Sequence, residues 1–583
     1  MTKASKRVVD YIVDILWKEN IRVAFGVPGG AINPLYDAMS KDGKIKHILA
    51  RHVEGASHMA EGYSRASKSS IGLCLGTSGP GATDMITGLY SAYADSVPIL
   101  CITGQVNSSD QYKEAFQSVD IVSIAKPVTK FSIQIECADL APSYFQKAFW
   151  LMRSGRPGPV LIDIPIDIQN TKIFYDIDSY EPLEIHYPKV SKKQLDKIFK
   201  LLEEAKKPII VAGGGVVSSN SFDNLNKLAI QTNIPVSPTL MGKGCLPDNH
   251  KNIIGMIGTQ IYSGCANTKF NEADLIIGLG NRWANRHTGN ISSYIEKKKF
   301  IHVDIEPTQI GRVIAPELGI VSDVKYFLSE LIKFIDKKRK ESGNTSLLSW
   351  ESWLKECQNL KKESEEKRAI SIKSLELLDK NITLDILFDY IETYMPKKVL
   401  YVTSIGHTQI AASKSLSVNN PKAWINCGQA GPLGWTLPAA IGAKLANKND
   451  ILVVGISGDY DFQFMIEELA VAAQYKLGYI HFIVNNTYLG LIRQDQLKYG
   501  TEYEVYLGFH NINSSECDGI DHIKVIEGLG AKGERVFNLF ELKKAISNAK
   551  KFILKNQLPY VIEVIVEKNT ELSFFNDIGS TIK

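Results

Sequence analysis

Long hydrophobic runs are missing from this sequence. Its longest apolar stretches, such as 451–457 (ILVVGIS), fall far below the roughly 18 residues that a bilayer-spanning helix needs. A dominant charge sign is missing too. With 67 basic and 63 acidic residues the net charge is only +4 over 583 residues, which gives no case for a nucleic-acid-binding or membrane-surface protein. Cysteine is sparse: Cys74, Cys101, Cys137, Cys245, Cys265, Cys357, Cys427 and Cys517 are scattered, and no CxxC pair exists. Neither a disulfide framework nor a zinc site is expected from that spacing. The thiols read as small apolar residues in a reducing compartment, with cytoplasm the default. There is no short repeat and no low-complexity tract. Residues 1–18 carry Asp10 and Asp14 inside an apolar pattern, so they read as an amphipathic helix and not as a signal peptide.

What is present is ordinary globular material, 44% hydrophobic and 22% charged, enough for roughly three or four domains at about 150 residues each. The dominant rhythm is a short β-rich run, a Gly-rich loop, then a helical pattern. It recurs at 22–30, 70–84, 159–165, 208–215, 274–282, 300–307, 399–406, 451–459 and 479–486. Nearly continuous apolar strands ending in glycine predict parallel sheets covered on both faces, an α/β doubly wound class. Between strands, 465–476 places Met465, Leu469 and Ala472 on one helical face. Polar 170–191 and strongly charged 336–380, the latter partly helical, read as connectors. They divide the chain into three α/β domains at about 1–170, 190–340 and 375–583.

The sharpest chemical signal lies in the third domain. One strand ends in Gly458-Asp459, and the next ends in Asn485-Asn486, with Asn486 following Asp459 by 27 positions. Parallel strands joined by a helix end on the same sheet edge, where such folds bind ligands. A carboxylate and an amide oxygen meeting there suit Mg²⁺, which takes its other ligands from water and phosphate. Ser457, Gly458 and Gly490 allow close backbone approach to a phosphate. Without a ligand, the same residues would be a helix cap and a turn.

Asp459 and Asn486 at this spacing resemble the GD…NN signature of thiamine diphosphate (ThDP) enzymes, with Tyr460 in place of the usual second glycine. RHVEGASHMAEGYSRA (51–66), GTSGPGATD (76–84), GRPGPVLIDIP (155–165) and GPLGWTLPAAIGA (431–443) resemble the acetohydroxyacid synthase and pyruvate oxidase superfamily over nearly the full length. ILARHVEGASHMAEGY, CGQAGPLGWTLPAA, NNTYLGLIRQ and HVDIEPTQIGR look closest to the glyoxylate carboligases, or tartronate-semialdehyde synthases.

The resemblance implies roles for individual residues. Asp459, Asn486 and the Tyr488 carbonyl would hold Mg²⁺ on the diphosphate. Gly458, Tyr460, Asp461 and Gly490 would complete that segment, and Gly406, His407 and Thr408 would lie against the diphosphate. The Gly431 carbonyl would meet the aminopyrimidine, and Leu433 would impose the bent cofactor shape. Gly30, Ala31, Ser78 and Gly79 would approach from the first domain. Most relatives carry Glu where Val53 stands, in contact with N1′ of the aminopyrimidine. Val there is itself a mark of the glyoxylate carboligases, and the neighbouring Glu54 points elsewhere. The middle domain resembles a domain that binds FAD as a structural, non-redox cofactor. Gly213, Gly214 and Gly215 would admit its phosphates, Asp304 or Asp323 would take ribose hydroxyls, and Arg156 and Arg286 would contact flavin or phosphate.

The implied reaction condenses two glyoxylates to tartronate semialdehyde with loss of CO₂, through a ThDP ylide and a carbanion/enamine. Arg282, or less favourably Arg493, would meet a substrate carboxylate. Leu489 and Ile492 would form an apolar wall that favours decarboxylation. The alternatives are an acetolactate synthase acting on pyruvate, a pyruvate oxidase with a redox flavin, and an inactive ThDP-fold scaffold. The resemblance also implies a homodimer at minimum and a homotetramer as the expected assembly, since first and third domains of different subunits would complete each site.

Overall fold

A computed structural model describes residues 5–376, 382–447, 451–514, 518–569, 572 and 577–581; Cys517 lies outside them. Three parallel sheets flanked by helices carry the chain. The first has strands β1 (Val23–Gly26), β2 (Lys46–Leu49), β3 (Gly72–Gly76), β4 (Ile99–Gln105), β5 (Phe131–Gln134) and β6 (Val160–Pro165), in the order β2-β1-β3-β4-β6-β5. All its pairings are parallel. β3 and β4 are buried at every residue, the physical reason for their continuous apolar sequence.

The second sheet is built from β7 (Pro208–Ala212), β8 (Val236–Pro238), β9 (Leu275–Leu279), β10 (Lys299–Asp304) and β11 (Leu318–Val321). Their order is β8-β7-β9-β10-β11, again parallel throughout. The third contains β12 (Val399–Thr403), β13 (Trp424–Asn426), β14 (Leu452–Gly458), β15 (Ile480–Asn485), β16 (Lys532–Val536) and β17 (Tyr560–Ile565). These follow the order β13-β12-β14-β15-β17-β16, and β14, β15, β17 and β16 pair in parallel.

In every sheet the chain passes from one side of its first strand to the other, between β1 and β3, between β7 and β9, and between β12 and β14. Crevices outside the carboxyl ends of such strands are where open α/β sheets bind ligands. The loops there hold Gly30 and Gly79, Gly213–Gly215 and Arg282, and Gly406 and Asp459.

The chain forms two compact units. One comprises Met1–His186, Leu400–Gly406 and Ile425–Ile565; the other comprises Tyr187–Val399, His407–Trp424 and Val566–Lys583. In the first unit the helix Val53–Ala66 crosses the helix Thr436–Asn447 at backbone contact. A Cβ on Gly62 would sit 2.2 Å from the Ala439 carbonyl oxygen, and one on Gly442 would sit 2.0 Å from that of Met59. Only glycine fits either position. The helix Val8–Lys18 buries Val8, Val9, Tyr11, Ile12, Val13, Ile15 and Leu16, so it is a core element.

In the second unit, the charged stretch after residue 340 is more than a connector. The helix Glu351–Glu376 runs through it and buries Trp353, Leu354 and Cys357, with the Trp353 indole donating to the Pro208 carbonyl at 3.1 Å. Among the described residues, no helix is long and apolar enough to cross a membrane. Their cysteines carry free thiols, and all but Cys137 are buried.

Candidate active site

The register of β14 and β15 sets Gly458 opposite Val484, so Asp459 and the Asn485-Asn486 pair leave the sheet side by side. Asp459 is buried. Its two carboxylate oxygens accept the amides of Tyr460 and Thr487, each at 2.9 Å. The same Thr487 amide donates to Asn485 Oδ1 at 2.9 Å, so one N–H ties the end of β14 to the turn after β15. Thr487 adopts a left-handed backbone, φ 62°, which a β-branched residue keeps only where its surroundings over-determine it. Asn486 Oδ1 accepts from the Tyr488 amide at 3.1 Å, and the Tyr488 carbonyl accepts from Gly490 at 2.8 Å. Burial pushes the Asp459 carboxyl up to about 6, against the favourable field of His522 and its two amide donors.

These groups fit a small hard dication. A carboxylate penalised by burial gains most from a positive charge, and the other oxygens available are the Asn486 amide and the Tyr488 carbonyl. Among the described residues no cluster of three or more His, Cys, Asp or Glu side chains could hold a metal ion. A cation here would therefore draw on amide and carbonyl oxygens and on its own ligand, the coordination habit of Mg²⁺.

The loop from 427 to 435 faces the same edge. Gly431 has φ +60° and its missing Cβ would meet Ile405 Cδ1 at 2.8 Å; Gly406 has φ +82° with open space around it. Leu433 is half-buried, unlike the fully buried Trp435 beside it, and so leaves apolar surface for a ligand. Asp461, also expected in the cofactor segment, has a side chain that fastens the protein to itself. Its carboxylate accepts from the Thr436 hydroxyl at 2.6 Å, the Gly434 amide at 2.7 Å and the Ser404 hydroxyl at 2.9 Å, and burial raises its pKa despite them. It therefore shapes the two loops that carry Gly406 and Leu433.

A buried ionic group secures the 427–435 loop from the other side. Arg65 bridges Glu61 at 2.6 Å and Asp95 at 2.8 Å. Glu61 accepts the Trp435 indole N–H at 2.8 Å, and Asp95 accepts the Gln429 amide at 3.2 Å.

Val53 opens the helix Val53–Ala66, is 6% exposed, and packs in the core shared with Met59, Trp435 and Ala439. Glu54 turns toward buried His58, with Oε1 3.5 Å from Nε2. Sequence reasoning missed Glu468. Its buried carboxylate accepts the amides of His52 at 2.9 Å and Arg51 at 3.1 Å, holding the turn that presents Val53, and burial pushes it up to about 7. The available signal was a carboxylate on the apolar face of Met465, Leu469 and Ala472. In the first sheet, the Ala31 amide donates to Thr77 Oγ1 at 3.2 Å, which brings the loops of Gly30 and Ala31 and of Ser78 and Gly79 together.

Beyond Asn486, Tyr460 packs edge-on against Phe464, Leu489 is half-buried, and Ile492 is 52% exposed. Arg493 pairs with Glu502 at 2.8 Å and stacks on Tyr488 at 4.1 Å, so its charge already has a partner. Arg156 likewise has work in the first unit, donating to Ser96 Oγ at 2.8 Å and to the Tyr93 carbonyl at 2.8 Å. There it caps the end of the helix Ile86–Ala94.

In the second unit, Gly213 and Gly215 are explained by packing, since a Cβ on either would meet Gly280 at 2.2 or 2.6 Å; Gly214 is less crowded. Asp304 ends β10 and accepts the Glu306 amide at 2.9 Å. Asp323 caps the helix Val324–Ser342, its Oδ1 accepting the amides of Lys325 and Tyr326. Arg286 donates to Gln260 at 2.7 Å and to Gln409 at 3.0 Å. Arg282 is half-buried beside Trp283, which is 2% exposed and left-handed. His407 and Thr408 are buried in the first turn of the helix Gly406–Ser415.

Three family models match the chain: the N-terminal TPP binding domain of thiamine pyrophosphate enzymes at residues 6–124, their central domain at 195–331, and their C-terminal TPP binding domain at 404–564. The chain is 49% identical to a glyoxylate carboligase of Escherichia coli O157:H7 over 582 residues, 100% of this chain and 96% of that one. It is 36% identical to the acetolactate synthase large subunit of Buchnera aphidicola, covering 95% and 93%. It is 34% identical to a probable acetolactate synthase large subunit of Methanococcus aeolicus, covering 96% and 92%. With a shared fold, a matching site edge and full-length identity well above 30%, the chain belongs to the thiamine pyrophosphate enzymes, in the branch that holds glyoxylate carboligase and the acetolactate synthases.

Proposed function

We propose that this enzyme joins two glyoxylate molecules into tartronate semialdehyde with release of CO₂, using ThDP, Mg²⁺ and a structural FAD, in the cytoplasm. The observation that carries the site is the shared Thr487 amide, which locks Asp459 to the Asn486–Tyr488 turn. Asp459, Asn486 and the Tyr488 carbonyl hold the cation on the diphosphate. ThDP, when bound, supplies the electron sink that lets CO₂ leave. Gly431 and Leu433 orient the two rings, with Asp461 and the Glu61–Arg65–Asp95 group keeping their loop in place. Leu489 and Ile492 exclude water from the reacting carboxylate. Arg282 supplies the cation for a substrate carboxylate. The flavin reading is supported by Gly214, just after the end of β7, and Asp304, at the end of β10, on the same edge of the second sheet.

Product analysis after incubation with glyoxylate, and separately with pyruvate, tests the reaction. The expected result is tartronate semialdehyde and CO₂ from glyoxylate, with pyruvate converted at least about tenfold more slowly, the consequence of roughly 1.4 kcal/mol of discrimination. Acetolactate as the main product from pyruvate would replace this reading with the synthase one, and no product from either would mark a scaffold.

A homodimer at minimum, with a homotetramer expected, is supported by apolar side chains that a single chain leaves open. Tyr112 is 92% and Phe116 85% exposed in the first domain, and Tyr499 is 82% and Tyr503 72% exposed in the third. Large apolar side chains of this kind are the ones that contact with a second copy would cover. Sedimentation of the holo-protein as an active monomer would overturn that assembly.

A further inference from the structure

Beneath the turn that carries Asn486 lies a buried polar group to which the proposed chemistry gives no role. Its centre is Glu563, in the strand β17 sequence YVIEVI, where it is the lone charge among apolar residues. The registers explain what it meets. Ile483 of β15 and Arg535 of β16 lie directly opposite it. Side chains two residues apart on a strand share a face, so Asn485 stands on the same face, one step toward the strand end. His522, at the start of the helix His522–Gly528, covers that face.

Glu563 is fully buried and saturated. Its Oε1 accepts from Asn485 Nδ2 at 2.8 Å and lies 2.7 Å from His522 Nδ1, while Oε2 accepts from Arg535 Nε at 2.7 Å. Arg535 is held in turn by Asp521 at 2.9 Å. Burial alone would raise the Glu563 carboxyl, but His522, Arg535 and Asn485 together bring it below its ordinary value. The carboxylate is thus a fixed acceptor, and it leaves Asn485 Oδ1 free to face the other way, onto the Thr487 amide and hydroxyl at 2.9 and 3.3 Å.

We infer that Glu563 is a positioning residue for the cation site: by clamping the Asn485 amide it fixes the left-handed Thr487, and thereby the spacing between Asp459 and the Asn486–Tyr488 oxygens. Asn485, the first residue of the pair, acts as the rigid link between Glu563 and the turn. The inference rests on the proposed Mg²⁺–ThDP site. Without the clamp, Thr487 would relax toward an ordinary backbone, and the cation would have to draw its ligands together.

The test uses the full-length protein stripped of cofactor and titrated with Mg²⁺ at saturating thiamine diphosphate, with tryptophan fluorescence reporting cofactor binding. Glu563→Gln and Asn485→Ala should each raise the Mg²⁺ concentration for half-saturation by about tenfold to a hundredfold, the range for groups that orient metal ligands. The double variant should shift no further than the larger single one, because both act through one link. A merely structural Glu563 would lower the melting temperature of the cofactor-free protein and leave Mg²⁺ half-saturation unchanged in a folded variant, which would overturn the inference. Additive shifts in the double variant would overturn it as well. If Glu563→Gln does not fold, Asn485→Ala decides alone, since it keeps Glu563 with Arg535 and His522: an unshifted titration refutes the clamp. Asp459→Ala separates the two levels. Unchanged Mg²⁺ dependence there removes the site itself, whereas its loss there with no shift in the other variants removes only the clamp.

Discussion

Asp459→Ala should abolish Mg²⁺-dependent retention of thiamine diphosphate. One carboxylate against a cation at close range is worth about 4 kcal/mol near a protein surface, or roughly 10³-fold in affinity. Asn486→Ala removes a neutral ligand and should cost about 10-fold to 100-fold. Equilibrium dialysis of labelled cofactor with and without Mg²⁺ measures both. Full affinity in Asp459→Ala would remove the assignment of the site. A second consequence concerns the protein without cofactor. The folded-state pKa of Asp459 is raised from 3.8 to about 6, so the folded chain binds that proton more tightly than the unfolded one. The contribution of Asp459 should therefore become destabilising as pH rises from about 4 to about 6 and stay so above. Asp459→Asn, which keeps the shape and cannot ionise, should lose that component of the pH dependence, and bound Mg²⁺ should mask it in the parent.

Val53→Glu should speed C2–H/D exchange of bound thiamine diphosphate by about 100-fold, the lower end for an assisted proton transfer, with glyoxylate turnover equal or lower. The expected gain is a hydrogen bond to N1′ of the cofactor. The cost arises from where Val53 sits: it is 6% exposed in an apolar core, on the turn whose amides are held by the Glu468 carboxylate. A second carboxyl there pays desolvation or stays protonated, and once ionised it repels both Glu468 and the substrate carboxylate. Faster exchange without faster turnover would mean that carbon–carbon chemistry or product release limits the natural enzyme. Exchange no faster, with cofactor still bound, would show that Val53 is not the N1′ neighbour. Glu54 would then be reconsidered, although it is turned toward His58.

The strands that sequence made legible are those with apolar runs ending in glycine, such as Leu452–Gly458 and Pro208–Ala212. Their burial on both faces writes itself into composition. Lys46–Leu49 and Lys532–Val536 carried no such mark, because edge strands keep exposed and charged residues. Asp459 and Asn486 were legible because their chemistry needs two residue types at two strand ends. Asp461 and Asp323 read as ligand contacts, and their carboxylates also accept the protein's own donors, two hydroxyls and an amide at Asp461 and two helix-capping amides at Asp323. A carboxylate after a strand has the same one-letter code in either job, and only its partners tell them apart. Glu468 and Glu563 were missed for the opposite reason. Their importance lies in backbone amides and cross-strand neighbours brought from distant positions, which no local pattern encodes.

The crossing at Gly62 and Gly442 has a consequence for how such an enzyme can change its diet. Two helices in backbone contact have no slack through which one could slide or roll without a clash. A change of substrate preference made by shifting the Val53 helix against the Thr436 helix is therefore closed to small mutational steps. Variation has to enter through the segments that hang from the strand ends, above all 489–512, where apolar side chains stand exposed and no backbone is pinned against a neighbouring helix. A library directed there should yield altered acceptors without loss of fold, while one directed at the helix crossing should yield mostly unfolded protein.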